Sequence, residues 1–159
     1  MDRYLGESIP KLGFGLMRLP KLADGSIDVE QVKEMVDLFL SAGFRYFDTA
    51  YGYDNGGSER AAKAALVDRY PRDSFYLATK LPAWTAKTKQ DAQQMFYTSL
   101  ERTGAGYFDF YLLHNIGKGA WSPLTTSKSG TTSPRAGRRA SSSTSAFPCT
   151  PRRRCSTRC

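Results

Sequence analysis

Over residues 1–117 the apolar positions alternate between short runs and helical stripes. Leu12-Gly13-Phe14-Gly15, coming after Pro10, is a short apolar run that predicts a first strand. Asp28 predicts a helix start, with Gln31 three positions on as the partner of a capping box. Val32, Met35, Val36, Phe39 and Leu40 then recur at helical intervals and make one buried stripe, and Gly43 marks the stop. Phe44 to Asp48 predicts the second strand. Ser58 predicts the N-cap of a second helix, with Ala61, Ala62, Ala65 and Leu66 as its apolar face and Pro71 as its end. Phe75 to Lys80 is the third strand. Thr88 with Asp91 opens a third helix whose face is Ala92, Met95, Phe96, Ser99 and Leu100, stopping at Gly104, and Tyr107 to Leu113 is the fourth strand.

The resulting order is β-α-β-α-β-α-β, with connections of helix length. Such connections demand parallel strands, and their regularity favours an α/β fold of the TIM-barrel type, here about the first four strands of a (β/α)8 barrel. Periodicity alone leaves a doubly wound sheet open.

Charge divides the chain in two. Residues 1–117 hold 14 Lys+Arg and 15 Asp+Glu, a net of −1; residues 118–159 hold the other 9 basic residues and no acid, and −1 plus +9 gives the +8 of the whole. A basic balance would normally suggest nucleic acid or anionic membranes, but here it belongs to the tail. All three cysteines (Cys149, Cys155, Cys159) also lie in the tail. Residues 1–117 therefore have no disulfide available, and an intracellular address follows. No charged-then-apolar leader and no apolar run of about 18 residues is present, so a cytoplasmic protein with no membrane partner is expected.

Four polar groups fall where the strands end. Asp48 closes the second strand, Tyr53 follows in the loop, Lys80 closes the third strand and His114 the fourth. In a barrel all C-terminal strand ends open on one face, where active sites are built. Singly, each has a plainer reading: a loop cap, a structural tyrosine, a solvated lysine, a satisfied core histidine. Their placement on successive strand ends is what makes them a candidate catalytic set.

The run Gly43-Phe44-Arg45-Tyr46-Phe47-Asp48-Thr49-Ala50-Tyr51-Gly52-Tyr53 resembles the aldo-keto reductases. So do Ser58-Glu59, Ala78-Thr79-Lys80, Asp109-Phe110-Tyr111-Leu112-Leu113-His114 and the opening Leu12-Gly13-Phe14-Gly15-Leu16-Met17-Arg18. The resemblance covers residues 4–117 and includes the order and spacing of Asp48, Tyr53, Lys80 and His114. Two departures are Gly56-Gly57, which widens the loop before Ser58, and Lys63, where the family usually has glycine.

The resemblance implies an NADP(H)-dependent oxidoreductase that reduces the carbonyl of a small-molecule substrate to an alcohol. Tyr53 would donate the proton, Lys80 would favour the phenolate left behind, Asp48 would keep the amine charged and aimed, and His114 would orient the carbonyl. Gly15, Met17, Arg18 and Asp48 would border NADPH. The main phosphate clamp of a barrel comes from loops after strands seven and eight, and only four strand candidates are present. An iron-sulfur cluster is expected only in an intact, longer relative, and no metal site is expected in this chain. A non-catalytic, cofactor-binding regulatory protein is the second functional class.

Residues 118–159 are rich in Ser, Thr, Arg and Pro and lack apolar periodicity, a composition expected of a disordered basic tail. A nucleic-acid arm would place Arg138-Arg139 and Arg152-Arg153-Arg154 on phosphates, but aromatics beyond Trp121 and Phe147 are missing, so no nucleic-acid partner is expected. A metal site from the three cysteines has poor spacing and no nearby histidine. A flexible linker fits the composition but leads nowhere. An out-of-frame tail explains the missing acids, the Arg and Ser excess and the late cysteines together. The genetic code permits Ala120 to Ser133 to be reread, one base on, as MEPFDDFKIWDYV, which restores mixed charge and an amphipathic helix. On that reading the chain is the truncated N-terminal half of a barrel and is inactive alone.

Overall fold

A computed structural model describes residues 8–115. The readings made for 118–159, as basic arm, cysteine site, linker or out-of-frame segment, lie outside the described residues. Four strands, β1 (Gly13–Gly15), β2 (Tyr46–Asp48), β3 (Tyr76–Leu81) and β4 (Phe110–Leu113), form one sheet in the order β1-β2-β3-β4. Every pairing is parallel. A doubly wound sheet reverses its strand order at a switch point. Here each new strand is added on the same side of the last, the winding of a barrel, so the alternative left open by periodicity is removed. Gly15, Asp48, Ala78 and Phe110 stand level across the sheet, which places β4 further toward the C-terminal rim than β1. That stagger is what a closed, tilted barrel requires.

Helix α1 (Val29–Ser41) starts where Asp28 accepts from the Gln31 amide at 3.0 Å. The other half of the expected capping box is replaced, since the Asp28 amide donates to the Pro20 carbonyl instead. Val32 and Val36 are fully buried, while Met35 is 38% exposed and lies on the flank of the stripe rather than in it. Phe39 carries the packing onward, with its ring 5.2–5.3 Å from those of Phe14, Phe44 and Phe47. Because Phe47 faces the helices, its neighbours Tyr46 and Asp48 face the opposite side of the sheet.

Helix α2 (Gly57–Ala62) buries Ala61 and Ala62 and continues as a π-helical turn, Lys63–Val67, that buries Ala65 and Leu66. The small side chains let this helix lie close to the sheet. Lys63 opens the π turn and reaches Asp68 five residues on, at 2.5 and 2.8 Å. Ser58 is not the N-cap. Gly56, with φ 83°, holds that position, and Ser58 is buried inside the first helical turn. Helix α3 (Lys89–Thr103) has the complete Thr88–Asp91 capping box and ends at left-handed Gly104. Below the site, Arg72 donates to the carbonyls of Phe75, Ala105 and Tyr107 and to Asp109, fastening the entry of β4 to β3. The strands are shorter than their apolar runs, and β3 extends one residue past Lys80 to Leu81.

Candidate active site

The four expected groups come together at the C-terminal rim of the sheet. Asp48 is the last residue of β2 and Lys80 the penultimate residue of β3, and Asp48 stands level with Ala78. Lys80 thus rises two residues beyond Asp48, on the same face, and its stem brings the amine back to the carboxylate. Lys80 Nζ donates to Asp48 Oδ2 at 2.5 Å, to the Thr49 carbonyl at 2.8 Å and to the Tyr53 hydroxyl oxygen at 3.4 Å. Three acceptors match the three protons of an ammonium. The Tyr53 contact is longer than the usual range of roughly 2.7–3.2 Å. Since the Tyr53 oxygen accepts from Lys80, its own O–H is left to donate elsewhere.

His114 follows β4, and its amide donates to the Leu81 carbonyl at 2.9 Å. The ring meets Tyr53 edge-on, 84° between planes and 5.4 Å between centroids. The ring of Trp84, half exposed in the loop after β3, lies 5.3 Å from that of His114. Burial holds the His114 imidazolium below its ordinary range, the Lys80 ammonium adds to this, and Asp48 partly opposes it. The neutral ring is therefore favoured. Among the described residues His114 Nδ1 is buried without a hydrogen-bond partner. An orphaned acceptor costs less than an orphaned N–H, which places the proton on Nε2 and makes Nε2–H the donor. Tyr46, one position inside Asp48 on the same face, is pushed up to about 12 by burial and by the Asp48 charge. Tyr46 is therefore a neutral wall, not an acid.

Beneath the rim, hydroxyls lock the elements together. Ser58 Oγ donates to the Leu16 carbonyl at 2.8 Å, which spends its single proton. Thr49 must then be the donor in the 2.7 Å contact between the two hydroxyls. Glu59 is fully buried, accepting from Thr79 at 2.8 Å and from Arg102 at 3.2 Å. Sequence reading singled out Ser58-Glu59 and Ala78-Thr79-Lys80 as parts of a motif, without a role for Thr79, but missed Trp84 and Arg102. The run of residues left-handed in φ from Asp54 to Gly56 had no signal beyond the glycine pair.

Of the residues expected to border a cofactor, Met17 and Arg18 line a cavity of about 240 Å³ with Leu16, Leu19, Lys21, Ile27 and Asp54. Gly15 pairs with Asp48 across β1 and β2, and the space where a Cβ would stand is open to at least 4 Å. Its lining includes Asp54, the residue after Tyr53, and none of the four groups. Among the described residues Arg18 makes no ion pair, so its charge is available to an anionic ligand. No group of His, Cys, Asp and Glu suited to a metal occurs among the described residues. No helix among them is long and apolar enough to cross a membrane.

Residues 11–123 match the model of the Aldo/keto reductase family. This chain belongs to that family. An aldo-keto reductase of Mycobacterium sp. (strain KMS) is 34% identical over 110 residues, covering 69% of this chain and 36% of the relative. The methylglyoxal reductase DkgA of Yersinia pestis is 33% identical over 112 residues, 70% of this chain and 35% of the relative. The aldo-keto reductase of Klebsiella pneumoniae solved with NADPH superposes with a TM-score of 0.59 at 27% identity, covering 69% of this chain and 37% of that one. The chain thus spans about a third of the length of the aldo-keto reductases it matches.

Proposed function

We propose that Asp48, Tyr53, Lys80 and His114 are the catalytic set of an NADP(H)-dependent aldo-keto reductase that reduces a small-molecule carbonyl to an alcohol. The observation that carries this is the Lys80 ammonium, which binds Asp48 and the Tyr53 oxygen at once. NADPH, when bound, supplies the hydride. Met17 and Arg18, with Gly15 and Asp48 at the adjoining strand ends, are the residues of this chain that would hold it. The open backbone at Gly15 and the Arg18 guanidinium, which has no ion pair among the described residues, fit a phosphate-bearing ligand.

The remaining chemistry falls to side chains. His114 Nε2–H donates to the carbonyl oxygen and turns the carbonyl toward Tyr53. As negative charge grows on that oxygen, the Tyr53 O–H gives up its proton to it. The Lys80 ammonium stabilises the phenolate that results, and Asp48 keeps that ammonium charged and fixed. The neutral state of His114 lets it donate without adding a second full positive charge beside Lys80.

In a barrel the phosphate clamp is built by later loops. The 159-residue chain is therefore expected to bind NADPH weakly and to turn over no aldehyde. A cytoplasmic setting fits the absence of cysteine before residue 118. An out-of-frame origin for 118–159 is tested by the nucleotide sequence across codons 115–120. The functional reading is tested by joining residues 1–115 to the later barrel strands of the Klebsiella pneumoniae relative and assaying NADPH oxidation with an aldehyde. Turnover that needs Tyr53 supports it, and NADPH binding without any turnover favours the regulatory reading.

A further inference from the structure

Tyr53 stands on no strand. It heads a turn in which Asp54 (φ 49°), Asn55 (φ 53°) and Gly56 (φ 83°) are all left-handed. Asp and Asn tolerate this conformation as single residues, but a run of three consecutive left-handed residues needs contacts that hold it. Two of the restraining contacts are exposed: the Lys21–Asp54 ion pair, and Arg60 Nη2 on the Asn55 carbonyl at 3.2 Å. Solvent and salt weaken both.

The third restraint differs in kind. Arg102, on α3, donates from Nη1 to the Tyr51 carbonyl at 3.0 Å and to Glu59 Oε2 at 3.2 Å. Its guanidinium lies over the Tyr51 ring at 4.5 Å, and a Cβ built on Gly56 would stand 2.6–2.9 Å from it. The planar group is thus seated against both sides of the turn. Glu59 has no exposed surface, and its other oxygen accepts from Thr79, the residue before Lys80. A continuous path runs from the turn that carries Tyr53, through one guanidinium and one buried carboxylate, to the strand that carries Lys80.

We propose that Arg102 is the positioning residue for Tyr53: it pins the Tyr51–Gly56 turn and, through Glu59 and Thr79, registers that turn against β3 so that the phenol faces Lys80. The proposal rests on the reading of Tyr53 as proton donor, but it is read out by geometry and not by turnover. Gly56 suits this arrangement on two counts: its φ of 83° favours glycine, and a Cβ there would push the Arg102 guanidinium out of its seat.

The chain carries its own reporter, because His114 is its only histidine and its ring meets Tyr53 edge-on. In the 159-residue chain, NMR should show a cross-relaxation signal between Tyr53 and His114 ring protons. Arg102→Lys leaves a cation for Glu59 but removes the planar fork and the stack on Tyr51. It should lose the Tyr53–His114 signal while the Phe96–Phe108 and Phe96–Tyr111 ring contacts on the far side of α3 persist. Gly56→Ala, which displaces the guanidinium without deleting it, should lose the same signal. A folded variant of either kind that keeps the wild-type Tyr53–His114 signal overturns the proposal.

Amide exchange in the unsubstituted protein tests the premise that the turn is held at all. The Tyr53 amide, bonded to the Ala50 carbonyl, should exchange as slowly as the Thr49 amide, which is bonded to β3. Exchange as fast as that of the exposed Gly25 amide overturns the proposal. Failure of the functional reading looks different: Tyr53→Phe would leave chimera turnover intact while the Arg102 results stood unchanged.

Discussion

Lys80 reaches across from β3 to bind Asp48 on β2 at 2.5 Å, although the two are offset by two residues in register. The side chains are 14% and 30% exposed, so neither charge is fully hydrated. Removing one partner strands the other, and the deeper charge loses more. Asp48→Ala should therefore cost more than Lys80→Met, about 2 against about 1 kcal/mol, discounted from the value for fully buried pairs because water reaches both. Urea unfolding of the two variants checks the order; equal or reversed losses would contradict it.

His114 gives a pH prediction with a definite sign. Its folded-state midpoint lies below the unfolded value of 6.5, with burial the largest cause. The unfolded chain then binds the proton more readily, so the stability contributed by the neutral ring is complete above about pH 6.5 and is lost as pH falls toward the folded midpoint. NMR titration of the single histidine should give a midpoint under 6.5. Lys80→Met should raise that midpoint, by removing a positive neighbour. Asp48→Asn should lower it, by removing the opposing charge.

Ser58 joins three elements through one hydroxyl. Ser58→Ala leaves the Leu16 carbonyl and the Thr49 hydroxyl without this buried partner, a loss of about 1–3 kcal/mol. Thr49→Val removes a donor but leaves the Ser58 bond to Leu16 intact, so it should cost less. Thermal unfolding of both variants measures the difference, and a neutral Ser58→Ala would show the hydroxyl triad to be incidental.

Much of this architecture was legible in the chain because local rules and tertiary packing agree there. Thr88 and Asp91 make the box that their spacing predicts, and Ala61, Ala62, Ala65 and Leu66 are all buried. Ser58 misled because a small polar residue before an apolar stripe suits an N-cap, whereas its hydroxyl is used by a strand-end carbonyl instead. Met35 satisfied the helical interval but lies off the centre of the buried stripe defined by Val32 and Val36. The meeting of Asp48, Tyr53, Lys80 and His114 was legible from their order at successive strand ends. Arg102 was not, because it acts across 51 residues of sequence on a backbone carbonyl, and such contacts leave no spacing to read.

The 159-residue chain should show no NADPH oxidation with a simple aldehyde above a protein-free control. The match covers only 36–37% of the length of the Mycobacterium and Klebsiella relatives, and a barrel's phosphate clamp is built by the loops after strands seven and eight. Turnover by this chain that disappears in Tyr53→Phe would contradict the expectation of inactivity while supporting the assignment of the acid.

The most direct test of the account is Tyr53→Phe in the chimera that completes the barrel. Loss of a positioned general acid should lower kcat by about 10²–10⁴-fold, with NADPH affinity unchanged because the phenol's hydroxyl holds no part of the cofactor clamp. A chimera that reduces aldehyde equally well with phenylalanine at position 53 would contradict the central claim.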